Sequence, residues 1–213
     1  MLPTDPVLPE WFRHLSERLD GVHGGELARF TPPEDAVTRH SAVLMLFGDG
    51  RTGPDVLLIE RAADMRSHAG QPAFPGGAVD PGDDGAVGAA LREAEEETGL
   101  DPAGVTVART LPDLWLPPSG FTVTPVLAYW SRPVPVRAMD PREVARAERV
   151  PVGDLVDPAN RVTVVHPSGY RGPGFEVADM LVWGFTAMLL DRLLEIAGWA
   201  APWSPEREVG VPW

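Results

Sequence analysis

The chain is predicted to fold as one mixed α/β domain, with helices packed on a sheet. Three observations predict it. Strand-like apolar runs and helical periodicities interleave without a regular βαβ rhythm. No internal repeat and no Ser/Gly-rich linker divides residues 1–213. With 213 residues, 44% of them apolar, the chain can bury a core without staples.

The elements follow in order. Pro9 to Leu19 predicts a helix, because Trp11, Phe12, Leu15 and Leu19 recur at helical spacing. Residues 20–36 read as a surface loop. Ala42 to Phe47 is an apolar run ended by Gly48-Asp49-Gly50, hence a strand and a turn, and Val56 to Ile59 is a second strand. Residues 61–77 read as a long, glycine- and proline-punctuated loop, of a length that is usually functional or disordered. A helix over 84–98 follows, with Asp83 or Asp84 able to cap its start and Gly99 to stop it. Val105 to Thr110 is a strand, Leu111 to Gly120 a Pro-rich loop, and Phe121 to Trp130 a strand broken by Pro125. Residues 131–142 hold three prolines and form a connection. A short helix lies near Asp154-Leu155. Arg161 to Val165 and Phe175 to Val177 form a hairpin around Pro167 to Tyr170. Ala178 to Trp199 is a helix with an apolar face, and the tail 200–213 is irregular. The core is thus expected over about 38–197, with an N-terminal helix at 9–19.

The formal charge of −13 argues against sequence-independent nucleic-acid binding, which needs a basic stripe. It leaves room for a small anionic substrate if a metal ion and a few arginines reverse the local field. The absence of cysteine excludes disulfides, thiolate metal sites and a thiol nucleophile. The first residues lack the basic and apolar regions of a signal peptide. The longest apolar stretch, Met180 to Leu190, is too short to span a bilayer. A cytoplasmic protein, with no membrane partner, is the expectation. A homodimer is conceivable, because the N-terminal helix and the Trp203 to Trp213 tail carry apolar surface to cover.

The most telling segment is Arg92-Glu93-Ala94-Glu95-Glu96-Glu97-Thr98-Gly99-Leu100. On a helix Glu93, Glu96 and Glu97 sit at i, i+3 and i+4 and share a face. Three like charges there repel, and a divalent cation reverses the sign of that interaction. Hard oxygen ligands so clustered suit Mg²⁺ or Mn²⁺, completed by waters and substrate phosphates. Glu95 points elsewhere and reads as a surface charge. Glu93, Glu96 and Glu97 are the candidate metal ligands, and a carboxylate beside a metal-bound water can accept its proton. Arg92 can pair with Glu96 one turn on, or brace the Gly76-Gly77 turn and aim the carboxylates. Gly76 and Gly77 are expected to supply backbone conformations with positive φ. Arg61 and Arg66 are candidate phosphate contacts, since a guanidinium matches phosphate bidentately. His68, in the same loop, is a ligand contact or a loop hydrogen bonder. Phe121 and Thr124 either line a pocket or belong to the core.

The run from Gly77 through Asp83 or Asp84 to Arg92 and Leu100 resembles the Nudix hydrolase signature. Two departures stand out: the usual spaced glutamate is an aspartate, and the stretch to Arg92 is one residue longer than the commonest spacing. The roles of Asp83 and Asp84 stay open. A second pattern, Leu57-Leu58-Ile59-Glu60-Arg61-Ala62 followed by Arg66, Gly70 and Phe74-Pro75-Gly76-Gly77, is similar to the extra motif of the coenzyme A pyrophosphatase branch. Ile59 stands where threonine is usual. Leu111-Pro112-Asp113, Gly120 to Val126 and Trp183 to Ala187 also resemble that branch, so the likeness covers about residues 40–190.

The resemblance implies a Nudix-like α/β/α sandwich with a mixed sheet. It implies metal-dependent cleavage of the pyrophosphate of coenzyme A or acyl-CoA to 3′,5′-ADP and 4′-phosphopantetheine or its acyl form. It also places an acidic residue near Glu143 facing the site from another loop, as a further ligand or the base; a surface charge is the alternative. The rival readings are pyrophosphohydrolysis of ADP-ribose, a dinucleotide or a nucleoside triphosphate, and a non-catalytic ligand-sensing module on the same fold.

Overall fold

A computed structural model describes residues 8–27, 39–65, 68–116 and 120–211. In chain order the elements are α1 (Glu10–Arg18), α2 (Gly24–Leu27), β1 (Arg39–Asp49), β2 (Pro54–Arg61), β3 (Pro72–Ala73), β4 (Gly76–Ala78), α3 (Gly85–Thr98), β5 (Val105–Thr110), β6 (Leu114–Leu116), β7 (Phe121–Trp130), β8 (Val144–Pro151), α4 (Val152–Val156), β9 (Arg161–Val165), β10 (Arg171–Val177), β11 (Met180–Val182), α5 (Gly184–Ala197) and β12 (Glu208–Gly210).

Among the described residues the main sheet runs β3-β2-β1-β7-β5, with β8 also on β2, β4 on β1 and β6 on β7. Its central pair, β1 and β7, is parallel, and the flanking pairs are antiparallel, so the sheet is mixed. A smaller sheet runs β11-β10-β9-β12. The side-chain period of two sorts β1 onto both faces. Ala42, Leu44 and Leu46 pack with Ala89, Ala90 and Ala94 of α3, whose small side chains bring that helix close. Met45 and Phe47 face the larger core of α1, α5 and the second sheet. The result is the layered mixed α/β architecture that the resemblance implied.

Several sequence expectations are corrected. β7 is continuous through Pro125, because its C=O accepts from Leu111 where β5 gives way to β6; the missing N–H points to the same interrupted edge. The loop Leu111 to Gly120 contains β6. The helix placed from Ala178 begins only at Gly184. Ala178 and Asp179, with φ of 50° and 55°, make a two-residue turn that folds Met180 to Val182 back on β10 as a strand. Within the 61–77 loop, β3 and β4 pair with β2 and β1. The tail is not wholly irregular: Glu208–Gly210 pairs in parallel with β9. Strand β8 escaped the sequence reading because its charges obscure the apolar alternation. In the sheet they pair across strands, Arg146 with Glu60 at 2.6 Å and Arg149 with Asp55 at 2.8 Å. α2 occupies part of the expected 20–36 loop and buries Leu27; residues 28–38 lie outside the described ones.

Part of the apolar surface that suggested a self-contact packs within the chain. Trp11 packs on Phe12, Tyr129 and Trp199, and Trp203 lies on the Arg161 guanidinium. Trp213 lies outside the described residues. No helix among the described residues is long and apolar enough to cross a membrane.

Candidate active site

The site is built where β4 lies along the start of β1 and α3 crosses beneath it. Gly76 and Gly77 pair with Val43 and Ala42 of β1. Gly76 has the expected positive φ, 158°, whereas Gly77 does not, and close approach adds a need for glycine at both. A Cβ at Gly76 would stand 2.7 Å from the Val43 Cα and overlap the Ala42 carbonyl, and one at Gly77 would stand 2.7 Å from Glu93 Oε2. β4 is therefore pressed simultaneously against β1 and against the carboxylates of α3.

Arg92 is the hub of this arrangement. Its Nε and Nη2 donate to the two Asp83 oxygens at 2.8 and 3.0 Å, and Nη2 also donates to the Ala78 carbonyl at 3.1 Å. Nη1 donates to Glu93 at 2.9 Å and Glu96 at 3.2 Å. Asp83 does not cap α3 with its side chain, and neither does Asp84, the residue at the N-cap. The Asp83 carboxylate is engaged by Arg92 and by the Asp80 N–H, which together hold its pKa below the ordinary value. Asp80 adds a carboxylate 3.8 Å from Arg92 Nη2. The sequence reading missed Asp80. Its only signal was its place in the acidic turn Asp80-Pro-Gly-Asp-Asp.

The carboxylates differ in environment. Glu97 is buried, at 7% exposure, and accepts from the Gly76 N–H at 3.0 Å. Burial pushes its pKa up to about 7, against the Gly76 hydrogen bond and the Arg61 charge, while Glu93 and Glu143 push it further upward. Glu93 is half-buried, and burial raises its pKa as well, opposed by Arg92. The side chain of Glu96 is 60% exposed, and Glu95 faces solvent as its helical position requires.

Arg61, at the end of β2, reaches within 3.8 Å of Glu97. Its Nη2 donates to Met65 Sδ, and its Nε is buried without a partner among the described residues. Glu143 stands beside this loop, since its carbonyl accepts the Ala62 N–H at 2.9 Å and its charge is felt by Glu97. His68 is held locally: its φ is 55° and its Nδ1 lies 2.9 Å from Gln71 Oε1. Arg66 lies outside the described residues.

Among the described residues, no three His, Asp or Glu side chains converge closely enough to enclose a metal ion as they stand. Arg92 Nη1 instead bridges Glu93 and Glu96. The donor chemistry nevertheless fits a hard divalent cation. The candidate ligands are all carboxylate oxygens, two of them desolvated and mutually repelling, and a cation relieves that cost.

Residues 38–168 match the family described as NUDIX domain, more than half of the chain. Two relatives are both described as Uncharacterized Nudix hydrolase NudL. The one from Cronobacter sakazakii is 35% identical over 175 residues, 79% of this chain and 88% of the relative. The one from Escherichia coli is 38% identical over 150 residues, 67% of this chain and 75% of the relative. Among solved structures, a Nudix hydrolase from M. smegmatis, RenU, superposes with TM-score 0.54 at 24% identity, covering 75% of this chain and 86% of that one. The NUDIX domain of Shewanella oneidensis NrtR, complexed with ADP ribose, gives 0.51 at 16% identity, covering 79% and 94%. These two show a shared fold.

The chain belongs to the Nudix family. It is a Nudix hydrolase acting on a pyrophosphate linkage in a small-molecule substrate, and hydrolases of this family generally use divalent metal ions.

Proposed function

We propose that this hydrolase cleaves the pyrophosphate of coenzyme A or its thioesters, releasing 3′,5′-ADP and 4′-phosphopantetheine or its acyl form. The observation that carries the reading is Arg61. It belongs to the Leu57 to Gly77 pattern that resembles the coenzyme A branch, and it stands 3.8 Å from Glu97. That pattern therefore opens onto the same carboxylates as the metal-binding helix.

Glu93, Glu96 and Glu97 would hold Mg²⁺ or Mn²⁺, which when bound would lower the pKa of water and neutralise phosphate oxygens. Arg61 and Arg66 bind the pyrophosphate oxygens, with His68 at the rim of their loop. Water attacks one phosphorus, the bridging P–O bond breaks, and the proton passes to a carboxylate. Glu143, whose charge is felt by Glu97 from outside α3, is one candidate for that base, and Glu93 and Glu96 are the others. Arg92 is a positioning residue: it ties Glu93 and Glu96 to the 78–83 turn. Gly76 and Gly77 let β4 lie close enough to support them. The whole chain acts as one domain, since α1 joins the core around β1 and α5 and β12 extends the smaller sheet.

Product analysis after incubation with coenzyme A and MgCl₂, beside dephospho-coenzyme A and ADP-ribose, tests the substrate. Release of 3′,5′-ADP from coenzyme A, with much weaker turnover of the other two, supports it. Preference for ADP-ribose discards the substrate and keeps the chemistry. No turnover of any of the three, with MnCl₂ included, contradicts the reading.

A further inference from the structure

An open cleft of about 560 Å³ is lined in part by Ala78 to Pro81 of the 78–83 turn. Its volume falls within the ~300–1,000 Å³ usual for small-molecule sites. Two strand starts and the turn wall it. Arg39 of β1 and Phe121 of β7 stand directly opposite in the parallel register, so their side chains share a face. The guanidinium lies over the ring, 4.2 Å from its centroid. His40 follows on β1, and its carbonyl accepts the Val79 N–H at 3.0 Å, which clamps the turn against the strand. Val79, Asp80 and Pro81 complete the wall.

All the basic residues are arginines, and the net charge is −13. The arginines around the carboxylate site, Arg61, Arg92 and Arg146, each lie beside a carboxylate. Arg39 makes no ion pair with a described residue; its partner is the Phe121 face. A guanidinium lying on a ring keeps its N–H donors in its own plane, directed past the ring edge. An arginine held this way, beside an apolar wall, is arranged to receive an anion attached to a flat group.

The cleft also communicates with the reaction site. Ala78 and Asp80 border the cleft, and both meet Arg92 Nη2, at 3.1 and 3.8 Å. Nη1 of the same guanidinium holds Glu93 and Glu96. A ligand filling the cleft therefore ends one side chain away from the carboxylates.

We propose that this cleft is the subsite for a phosphorylated adenosine: Val79, Pro81 and Phe121 receive the base, and Arg39 receives a phosphate on the ribose. Asp80 repels that phosphate, which fixes its place at the Arg39 end. The assignment rests on the coenzyme A reading, because coenzyme A carries a 3′-phosphate on its adenosine and dephospho-coenzyme A and ADP-ribose do not.

Two measurements on Arg39→Ala test it. The first is the ratio of kcat/KM for coenzyme A to that for dephospho-coenzyme A. It should fall at least tenfold in Arg39→Ala, and Arg39→Lys should recover part of it. The second is calorimetric binding of 3′,5′-ADP and of 5′-AMP, without turnover. The preference for 3′,5′-ADP should be present in the parent protein and lost in Arg39→Ala. If the parent prefers coenzyme A and Arg39→Ala keeps that preference, the subsite is wrong and the substrate stands. If the parent does not turn over coenzyme A, the substrate reading fails. Calorimetry then judges the cleft alone: equal affinity of parent and variant for 3′,5′-ADP overturns it.

Discussion

Arg92 and Asp83 form a two-pronged pair, Nε to Oδ1 at 2.8 Å and Nη2 to Oδ2 at 3.0 Å. Asp83 and its neighbour Asp84 are the two aspartates that fall where the signature which this run resembles usually has glutamate, in a stretch one residue longer than common. The shorter acid on a longer turn still meets the arginine in fork geometry.

Asp83 therefore acts through Arg92. Asp83→Ala frees two of its donors and loosens the guanidinium that Glu93 and Glu96 lean on. The expected loss in kcat is about 10–100-fold, typical when a group orienting ligands is removed. Thermal unfolding should move little. Steady-state kinetics beside a melting curve checks this, and a variant with unaltered kcat refutes the role.

Gly77→Ala tests the contact between β4 and α3. The added methyl would stand 2.7 Å from Glu93 Oε2, so the carboxylate or the strand must shift. Overpacking of this kind costs about 1–3 kcal/mol. Turnover should drop at least tenfold alongside. Unchanged activity and melting temperature would show that the close approach has no consequence.

Tyr129 gives a pH prediction away from the site. Its hydroxyl donates to Asp49 at 2.7 Å, and burial, with the Asp49 hydrogen bond and charge, pushes its pKa up to about 12. The folded state thus holds this proton more tightly than the unfolded chain, whose value is near 10. The stabilisation is complete below pH 10 and is lost as pH rises toward 12. Tyr129→Phe should be about 1 kcal/mol less stable at neutral pH, having lost one hydrogen bond. Between pH 10 and 12 the parent should lose about 2 kcal/mol relative to the variant, reversing their order. Urea unfolding of both proteins across that range decides it. Parallel curves would contradict the assignment.

The acidic helix was legible because its signal is local: charges at i, i+3 and i+4, and a stop at Gly99, whose φ of 71° ends α3 as expected. Gly76 has the positive φ expected of it, 158°, but the contact of both glycines with β1 and Glu93 is a further constraint that no local pattern encodes. Strand β8 was hidden because Arg146 and Arg149 break its alternation until Glu60 and Asp55 pair with them. Met180-Leu181-Val182 suits a helix or a buried strand equally, and the two-residue turn before it decides. The pairing of Arg39 with Phe121 joins residues 82 positions apart through sheet register, so only the fold reveals the cleft.

The central claim is that α3 supplies the carboxylates on which pyrophosphate cleavage depends. The most direct test is kcat of Glu97→Gln on coenzyme A at saturating MgCl₂, with the fold verified by melting. The amide keeps the size of the side chain and can still face the Gly76 N–H, but it removes the anionic ligand. The predicted result is a loss of at least a hundredfold with the fold intact, repeated in Glu96→Gln. Turnover close to that of the parent in both variants would contradict the account.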